Sequence, residues 1–258
     1  MYDLYELLLD VFPAILNGSI NTIIIVFVAL GVGFLLGLPM AIFYVYGPKW
    51  LSPFIRLYVW FFRGTPVLIL LYLFYFGLFS LFELNLSNLA SSCLVLGFTS
   101  AAYQSQIFRG SLLSISVGQL KAARALGMSD FQSIKSIILP QALRISIPSW
   151  TNEYSILLKD SAVAFALGTP EIMAKTHAIA SRTQEHLPIY ILAGVVYFII
   201  TLIGVALLRR LEHMSSYACW LLLCILLLLW AGLVVYVIWD INLVILAKDI
   251  FLTLLRFN

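Results

Sequence analysis

Long apolar runs alternate with short polar stretches along the 258-residue chain. A helix needs about 20 apolar residues to cross the hydrocarbon core of a bilayer. Five uninterrupted runs approach or exceed that length, and each predicts a transmembrane helix: residues 20–46, 67–82, 89–108, 187–208 and 217–239. A sixth run, 145–167, is interrupted by polar and charged residues. The pattern predicts an all-α membrane protein with six candidate crossings.

Composition supports a membrane protein and excludes two other classes. The chain is 62% hydrophobic and only 10% charged, with a mean hydropathy of +1.03. A soluble domain has roughly 45–50% apolar and about 25% charged residues, so a soluble globular enzyme is excluded. The net charge of +3 is too small for a nucleic-acid binder, which needs a basic solvated face. We expect the lipid membrane, and no nucleic acid, as a partner.

Three glycines line the first apolar run. Gly31, Gly33 and Gly37 form a stripe of small residues that would allow close packing against another helix. An ordinary lipid-facing helix with incidental glycines fits the same pattern, and the sequence alone leaves both interpretations open.

Basic residues are concentrated in the loops after the first, third and fifth predicted helices. Lysine and arginine in short loops stay on the cytoplasmic side of a membrane. These three loops share one side and carry most of the cations: Lys49, Arg56, Arg63, Arg109, Lys121, Arg124, Lys135, Arg144, Arg209 and Arg210. We therefore expect a multi-pass protein of the cytoplasmic (inner) membrane, with its N-terminus outside and residues 110–144 in the cytoplasm.

The polar stretch 110–144 carries signals for two short helices. Residues 119–126 are good helix formers, and Gly127 suits a left-handed C-cap. Ser129 and Gln132 have the spacing of a capping box that starts the next helix. A rigid helical projection would suit transmission of force from a cytoplasmic partner, although an interfacial helix lying on lipid fits the composition equally well.

The same stretch resembles a known family motif. Residues 121–127 read KAARALG and are followed, after nine residues, by IILP at 137–140. This is similar to the EAA loop of ABC importer permeases, which reads E-A-A, three residues, Gly, nine residues, I-x-L-P. The motif's leading Glu is Lys121 here. The resemblance implies that six residues couple the chain to an ATPase: Lys121, Ala122, Ala123, Gly127, Leu139 and Pro140.

Flanking segments resemble the permeases of polar amino-acid importers in particular. They include residues 62–66 (FRGTP), 107–110 (IFRG), 125–129 (ALGMS) and 157–161 (LLKDS); family members usually have Glu where Gln106 stands. The resemblance implies a five-helix type I permease core. It also implies three partners: an ABC ATPase, an extracytoplasmic amino-acid-binding protein, and a second permease copy or a sister permease. ATP and magnesium would bind to the ATPase, and this chain would bind no cofactor.

The resemblance covers roughly residues 10–213, which divides the chain into two parts. Residues 1–213 are the expected permease core, with the coupling loop at about 110–144. Residues 214–258 add a sixth predicted helix, 217–239, and a tail in which apolar residues recur at helical spacing. We interpret the tail as an amphipathic surface helix on the outer leaflet or packed on the permease; alternatively, it only caps the sixth helix.

Ionisable residues inside a membrane segment usually mark a pathway or an internal pair. Glu153 and Asp160 are seven residues apart, about two helical turns, and so share one face of a helix. Two carboxylates would suit the ammonium or guanidinium group of an amino acid; alternatively, both are structural, paired with Lys159, Arg63 or a partner subunit. The candidate pathway residues are Asn152, Glu153, Asp160, Arg63, Thr65 and Gln106. Arg63 alternatively snorkels to the headgroups, and Gln106 alternatively forms a hydrogen bond between helices.

No pattern in the sequence predicts an enzyme. There is no G-x-x-x-x-G-K-[ST] loop for phosphates, and the dispersed histidines have no metal-ligand spacing. The expected function is translocation of a polar amino acid, with cationic amino acids among the candidates, driven by a separate ATPase. A secondary transporter or channel is the alternative, but such folds usually show two matching halves with broken helices, and only one interrupted segment is present. A regulatory membrane protein without a transport role is a third class.

Overall fold

The computed structural model describes residues 4–212, together with Gly232. The predicted sixth crossing, apart from Gly232, and the tail lie outside the described residues. Within residues 4–212 the backbone forms nine α-helices and no strand. The helices are α1 (Leu4–Tyr46), α2 (Ser52–Gly64), α3 (Val67–Tyr72), α4 (Asn88–Ser114), α5 (Val117–Ala125), α6 (Asp130–Ser133), α7 (Leu139–Asp160), α8 (Ile172–Thr183) and α9 (His186–Glu212).

Three irregular helical segments extend or join these helices. A π-helical segment, Leu73–Phe79, continues α3, and a second, Ile134–Ile138, joins α6 to α7. A 3-10 helix, Ser161–Leu167, continues α7. It ends at Gly168, whose φ is +79°.

Two of the described helices are long and apolar enough to cross a membrane, namely Val11–Tyr46 within α1 and His186–Arg210 within α9. The predicted second crossing follows a sharp bend: the chain turns by 108° between α2 and the helix that begins with α3. If this bent pair is counted as one span, the described residues contain three spans. The predicted third crossing lies on α4, and the predicted fourth lies on α7 and the 3-10 helix that continues it; α4 and α7 have 27 and 22 residues. Both are long enough, but more polar than α1 and α9.

The close approach of α1 and α4 explains the glycine stripe. A Cβ on Gly37 would lie 2.9 Å from the carbonyl oxygen of Ala101 and 3.0 Å from the amide nitrogen of Ser105. A Cβ on Gly33 would lie 2.9 Å from Ser100 Oγ and would overlap the Gln104 side-chain nitrogen. A Cβ on Gly37 would push against the α4 backbone, and a Cβ on Gly33 would displace the buried, hydrogen-bonded Gln104 side chain. The packing interpretation of the stripe is therefore confirmed for Gly33 and Gly37.

Helix α7 is held between α4 and α9. The Tyr154 ring lies against Gly204 of α9, where a Cβ would overlap it, and its hydroxyl donates a hydrogen bond to the Ile200 carbonyl at 3.0 Å. Apolar residues of α1, α4 and α7 form one core that includes Val28, Leu96 and Leu157, and Tyr154 packs against this core. This packing fixes which face of α7 points into the bundle and which face is exposed.

Candidate functional site

The predicted projection between α4 and α7 is present, and its first helix ends as the sequence indicates. Gly127 has φ +81°, in the left-handed region. The Met128 amide donates to the Ala123 carbonyl at 3.1 Å, and the Gly127 amide donates to the Arg124 carbonyl at 2.9 Å. These two bonds define a Schellman C-cap. The predicted left-handed cap at Gly127 is confirmed.

The predicted capping box of the second short helix is also confirmed. Ser129 Oγ accepts from the Gln132 amide at 3.3 Å, and Gln132 Oε1 accepts from the Ser129 amide at 2.9 Å. Across the turn, the Arg124 guanidinium donates two hydrogen bonds, of 2.7 and 3.0 Å, to the Asp130 carboxylate. These bonds lower the pKa of Asp130 below its usual range. Asp130 is therefore ionised at neutral pH, and the pair closes the turn between α5 and α6.

The projection is tied to α7 at its base. Gln119 of α5 and Gln141 of α7 exchange side-chain hydrogen bonds of 3.0 and 2.6 Å. The π-helical segment Ile134–Ile138 ends two residues before Pro140, which has no N–H to donate to the preceding turn, and the backbone runs from this segment into α7. Helix α5 is thus joined to α7 through side chains as well as through the backbone.

The six predicted coupling residues occupy two different places. Lys121, Ala122 and Gly127 are exposed on the projection, whereas Ala123 is 2% exposed and packs inside it. Leu139 and Pro140 are half-buried at the start of α7. Two large apolar side chains beside the motif, Leu126 and Phe131, are 82% and 73% exposed. The outer surface of the projection is therefore suited to contact another protein.

The polar residues of α7 separate onto an inner and an outer face. Glu153 is only 3% exposed and accepts a hydrogen bond of 2.8 Å from Ser100 Oγ of α4. Asn152 and Lys159 are exposed, and Asp160, the last residue of α7, is half-buried. Glu153 thus points into the bundle, while Asn152, about 100° around the helix, points outward.

A chain of hydrogen bonds extends from Glu153 across three helices. Gln104 Nε2 donates to Ser100 Oγ and to the Leu30 carbonyl of α1, each at 3.0 Å. Trp150 Nε1 donates to Gln104 Oε1 at 2.7 Å. The fully buried Gln104 side chain therefore joins α1, α4 and α7 beside the Glu153 carboxylate. We call Glu153, Ser100, Gln104 and Trp150 the buried polar network.

The remaining predicted pathway residues lie outside this network. The Arg63 guanidinium is exposed and lies over the Tyr103 ring of α4, 4.9 Å from the ring centre. Thr65 is half-buried in the sharp turn between α2 and α3, and Gln106 donates a 3.2 Å hydrogen bond to neighbouring Ser105. The described residues show no direct contact between any of these three and Glu153.

Sequence reasoning missed Ser100 and Gln104. Their spacing of four residues places them on one face of α4, and Trp150 is three residues before Glu153 on α7. The sequence signal for this network is a pair of polar residues at helical spacing on each of two apolar helices, α4 and α7. The sequence does not predict that these two pairs contact each other, because that contact depends on how Gly33 and Gly37 bring α1 against α4.

Comparison with known proteins matches residues 33–217 to the family described as binding-protein-dependent transport system inner membrane component. The chain is 34% identical over 201 residues to the probable amino-acid permease protein YxeN of Bacillus subtilis (strain 168), covering 77% of this chain and 90% of that protein. It is also 34% identical over 198 residues to the histidine/lysine/arginine/ornithine transport system permease protein HisM of Salmonella typhimurium, covering 71% and 84%.

Solved structures show the same fold. The crystal structure of an amino acid ABC transporter with histidines aligns with a TM-score of 0.74 and 30% identity, covering 83% of this chain and 99% of that one. An inward-facing structure of the MetNI methionine ABC transporter aligns with a TM-score of 0.64 at 21% identity, which indicates a shared fold alone.

The helical bundle and its capped projection define an all-α permease of the type I ABC importer class. The chain belongs to the family of binding-protein-dependent transport system inner membrane components. Members of this family are transport subunits, and a separate ATPase subunit hydrolyses ATP.

Proposed function

We propose that this chain moves a polar amino acid across the cytoplasmic membrane, with cationic amino acids as the first candidates. The observation that carries the proposal is the buried Glu153 carboxylate, which accepts a hydrogen bond from Ser100 and lies where α1, α4 and α7 pack together. A buried carboxylate needs a partner, and no ion pair involving Glu153 occurs among the described side chains, those of residues 11–210. The ammonium or guanidinium group of a passing substrate would supply a positive charge.

Energy would reach this site through the projection. An ATPase subunit would bind the exposed surface around Lys121 and Ala122, with ATP and magnesium held by that subunit. Closure of two ATPase subunits would move α5, and the pair formed by Gln119 and Gln141 would pass the movement to α7. Because α7 carries Glu153, the same movement would open and close the access to the carboxylate.

A second permease, either another copy or a sister chain, would complete the pathway. One chain has too few helices to enclose a wide passage, and α7 exposes the polar residues Ser149 and Asn152, which are poorly suited to lipid. An extracytoplasmic binding protein would deliver the amino acid. The mass of the purified complex would test this arrangement, since a single permease per complex would contradict it.

The proposed orientation places the N-terminus outside and residues 110–144 in the cytoplasm. Cysteine labelling in intact cells tests it with Lys121→Cys on the projection and Arg182→Cys on α8. We expect a membrane-impermeant maleimide to label only the cysteine at position 182 from outside, and the one at position 121 only after the membrane is opened. Labelling of position 121 from outside would contradict the orientation and the coupling to a cytoplasmic ATPase.

Uptake into proteoliposomes tests the function itself. The complex would be reconstituted with ATP inside and a binding protein outside, and offered cationic, neutral and acidic amino acids. We expect ATP-dependent uptake with a preference for cationic amino acids. Uptake that is unchanged without the ATPase subunit would instead identify a secondary transporter or channel.

A further inference from the structure

Helix α2 has one face that packs into the bundle and one apolar face that no described part of the chain covers. Ile55 and Phe62 are buried, and Tyr58 donates a 2.8 Å hydrogen bond to the Phe98 carbonyl of α4. On the other side, the exposed large apolar side chains follow one stripe of the helix and the turn before it: Trp50 at 68%, Phe54 at 64%, Leu57 at 60% and Trp60 at 71% exposure.

A cationic edge runs beside this apolar stripe. Lys49 and Arg56 are exposed, and among the described side chains of residues 11–210 theirs have no ion pair or hydrogen bond. The chain has no acidic residue between Asp10 and Glu83, so no carboxylate from the neighbouring sequence neutralises this edge. Arg63 is separate from it, because its guanidinium lies over the Tyr103 ring of α4.

The length and bend of α2 suit a helix that lies along a membrane surface. Its 13 residues span only about 20 Å, less than the roughly 30 Å of a hydrocarbon core. The 108° turn between α2 and α3 prevents the two from forming one straight span. A short helix with tryptophans on an apolar face and cations beside it is typical of a helix lying in the headgroup layer.

We propose that Lys49, Trp50, Phe54, Arg56, Leu57 and Trp60, the α2 surface, bind anionic phospholipids. The aromatic and leucine side chains lie among the upper acyl chains, and the two cations contact phosphate groups. Charge complementarity selects this occupant, because zwitterionic headgroups offer no net charge to an unpaired lysine and arginine. The proposal does not depend on which amino acid is transported.

Tryptophan quenching by brominated lipids tests the proposal with the full chain. Vesicles would contain equal amounts of phosphatidylcholine and phosphatidylglycerol, with bromine on the acyl chains of one or the other. The signal of Trp50 and Trp60 is the difference between the chain and its Trp50→Phe/Trp60→Phe variant, so Trp150 stays in place. Each basic residue near an anionic surface strengthens binding to that surface. We therefore expect phosphatidylglycerol to associate with the α2 surface on the order of tenfold more strongly than phosphatidylcholine does.

Charge removal separates the α2 surface from general attraction to the membrane. In Lys49→Gln/Arg56→Gln the ratio of phosphatidylglycerol to phosphatidylcholine association should fall to about one. The matched variant Lys175→Gln/Arg182→Gln on α8 should retain the ratio of the unmodified chain. Equal quenching by both lipids in the unmodified chain would overturn the proposal. Absence of quenching by either lipid, together with disulfide formation between two copies of Phe54→Cys, would also overturn it and identify a second permease as the occupant.

Discussion

Replacing Gly127 by valine is expected to reduce capture of the ATPase subunit about 30-fold while the chain still enters the membrane. Gly127 has φ +81°, and an added Cβ would meet no atom within 4 Å. The cost therefore comes from the backbone: a β-branched residue in the left-handed region costs roughly 1–3 kcal/mol, and about 2 kcal/mol is about 30-fold in an equilibrium. The measurement is the amount of ATPase that copurifies with each variant.

Two matched variants isolate the backbone conformation as the cause. Asparagine tolerates the left-handed region, so Gly127→Asn should retain most of the ATPase. Gly110 of α4 also has open space around a Cβ but has no positive φ, and Gly110→Ala should have no effect. If Gly127→Val retained as much ATPase as Gly110→Ala, the Schellman cap would have no part in coupling.

The projection could be predicted from the sequence because its determinants are local. The cap at Gly127 and the box formed by Ser129 and Gln132 each depend on residues within a few positions of one another. The pair formed by Gln119 and Gln141 depends on how α5 folds back onto α7, 22 residues along the chain, and no sequence pattern predicted it.

The buried polar network was only partly predictable for the same reason. The charge of Glu153 within an apolar run indicates a functional site. The only evidence in the sequence for the direction of its side chain is the helical spacing to Asp160. The contact with Ser100 joins residues 53 positions apart. It exists because the glycines of α1 admit the Gln104 side chain between helices, and that is a property of the packed bundle rather than of any one segment.

Replacing Glu153 by glutamine is expected to reduce uptake of cationic amino acids about 30-fold or more, while uptake of neutral amino acids changes little. Glutamine has nearly the same shape, and its carbonyl can still accept the Ser100 hydrogen bond, so only the negative charge is lost. Truncating one partner of a buried charge pair costs about 2–5 kcal/mol, and 2 kcal/mol is about 30-fold. The measurement is the rate of ATP-dependent uptake in proteoliposomes.

Substitutions of two serines of α4 test whether the Glu153 carboxylate binds substrate or only stabilises the bundle. Ser100→Ala leaves the Glu153 charge but removes its hydrogen bond, and an unsatisfied buried group costs about 1–3 kcal/mol; both stability and cationic uptake should fall. Ser91 is equally buried, and its hydroxyl finds no hydrogen-bond partner in the part of the chain that the structure describes, so Ser91→Ala should change neither. If Glu153→Gln transported cationic amino acids at the unmodified rate while Ser100→Ala lowered only the melting temperature, the carboxylate would be a packing element of α4 and α7, and the substrate would pass elsewhere.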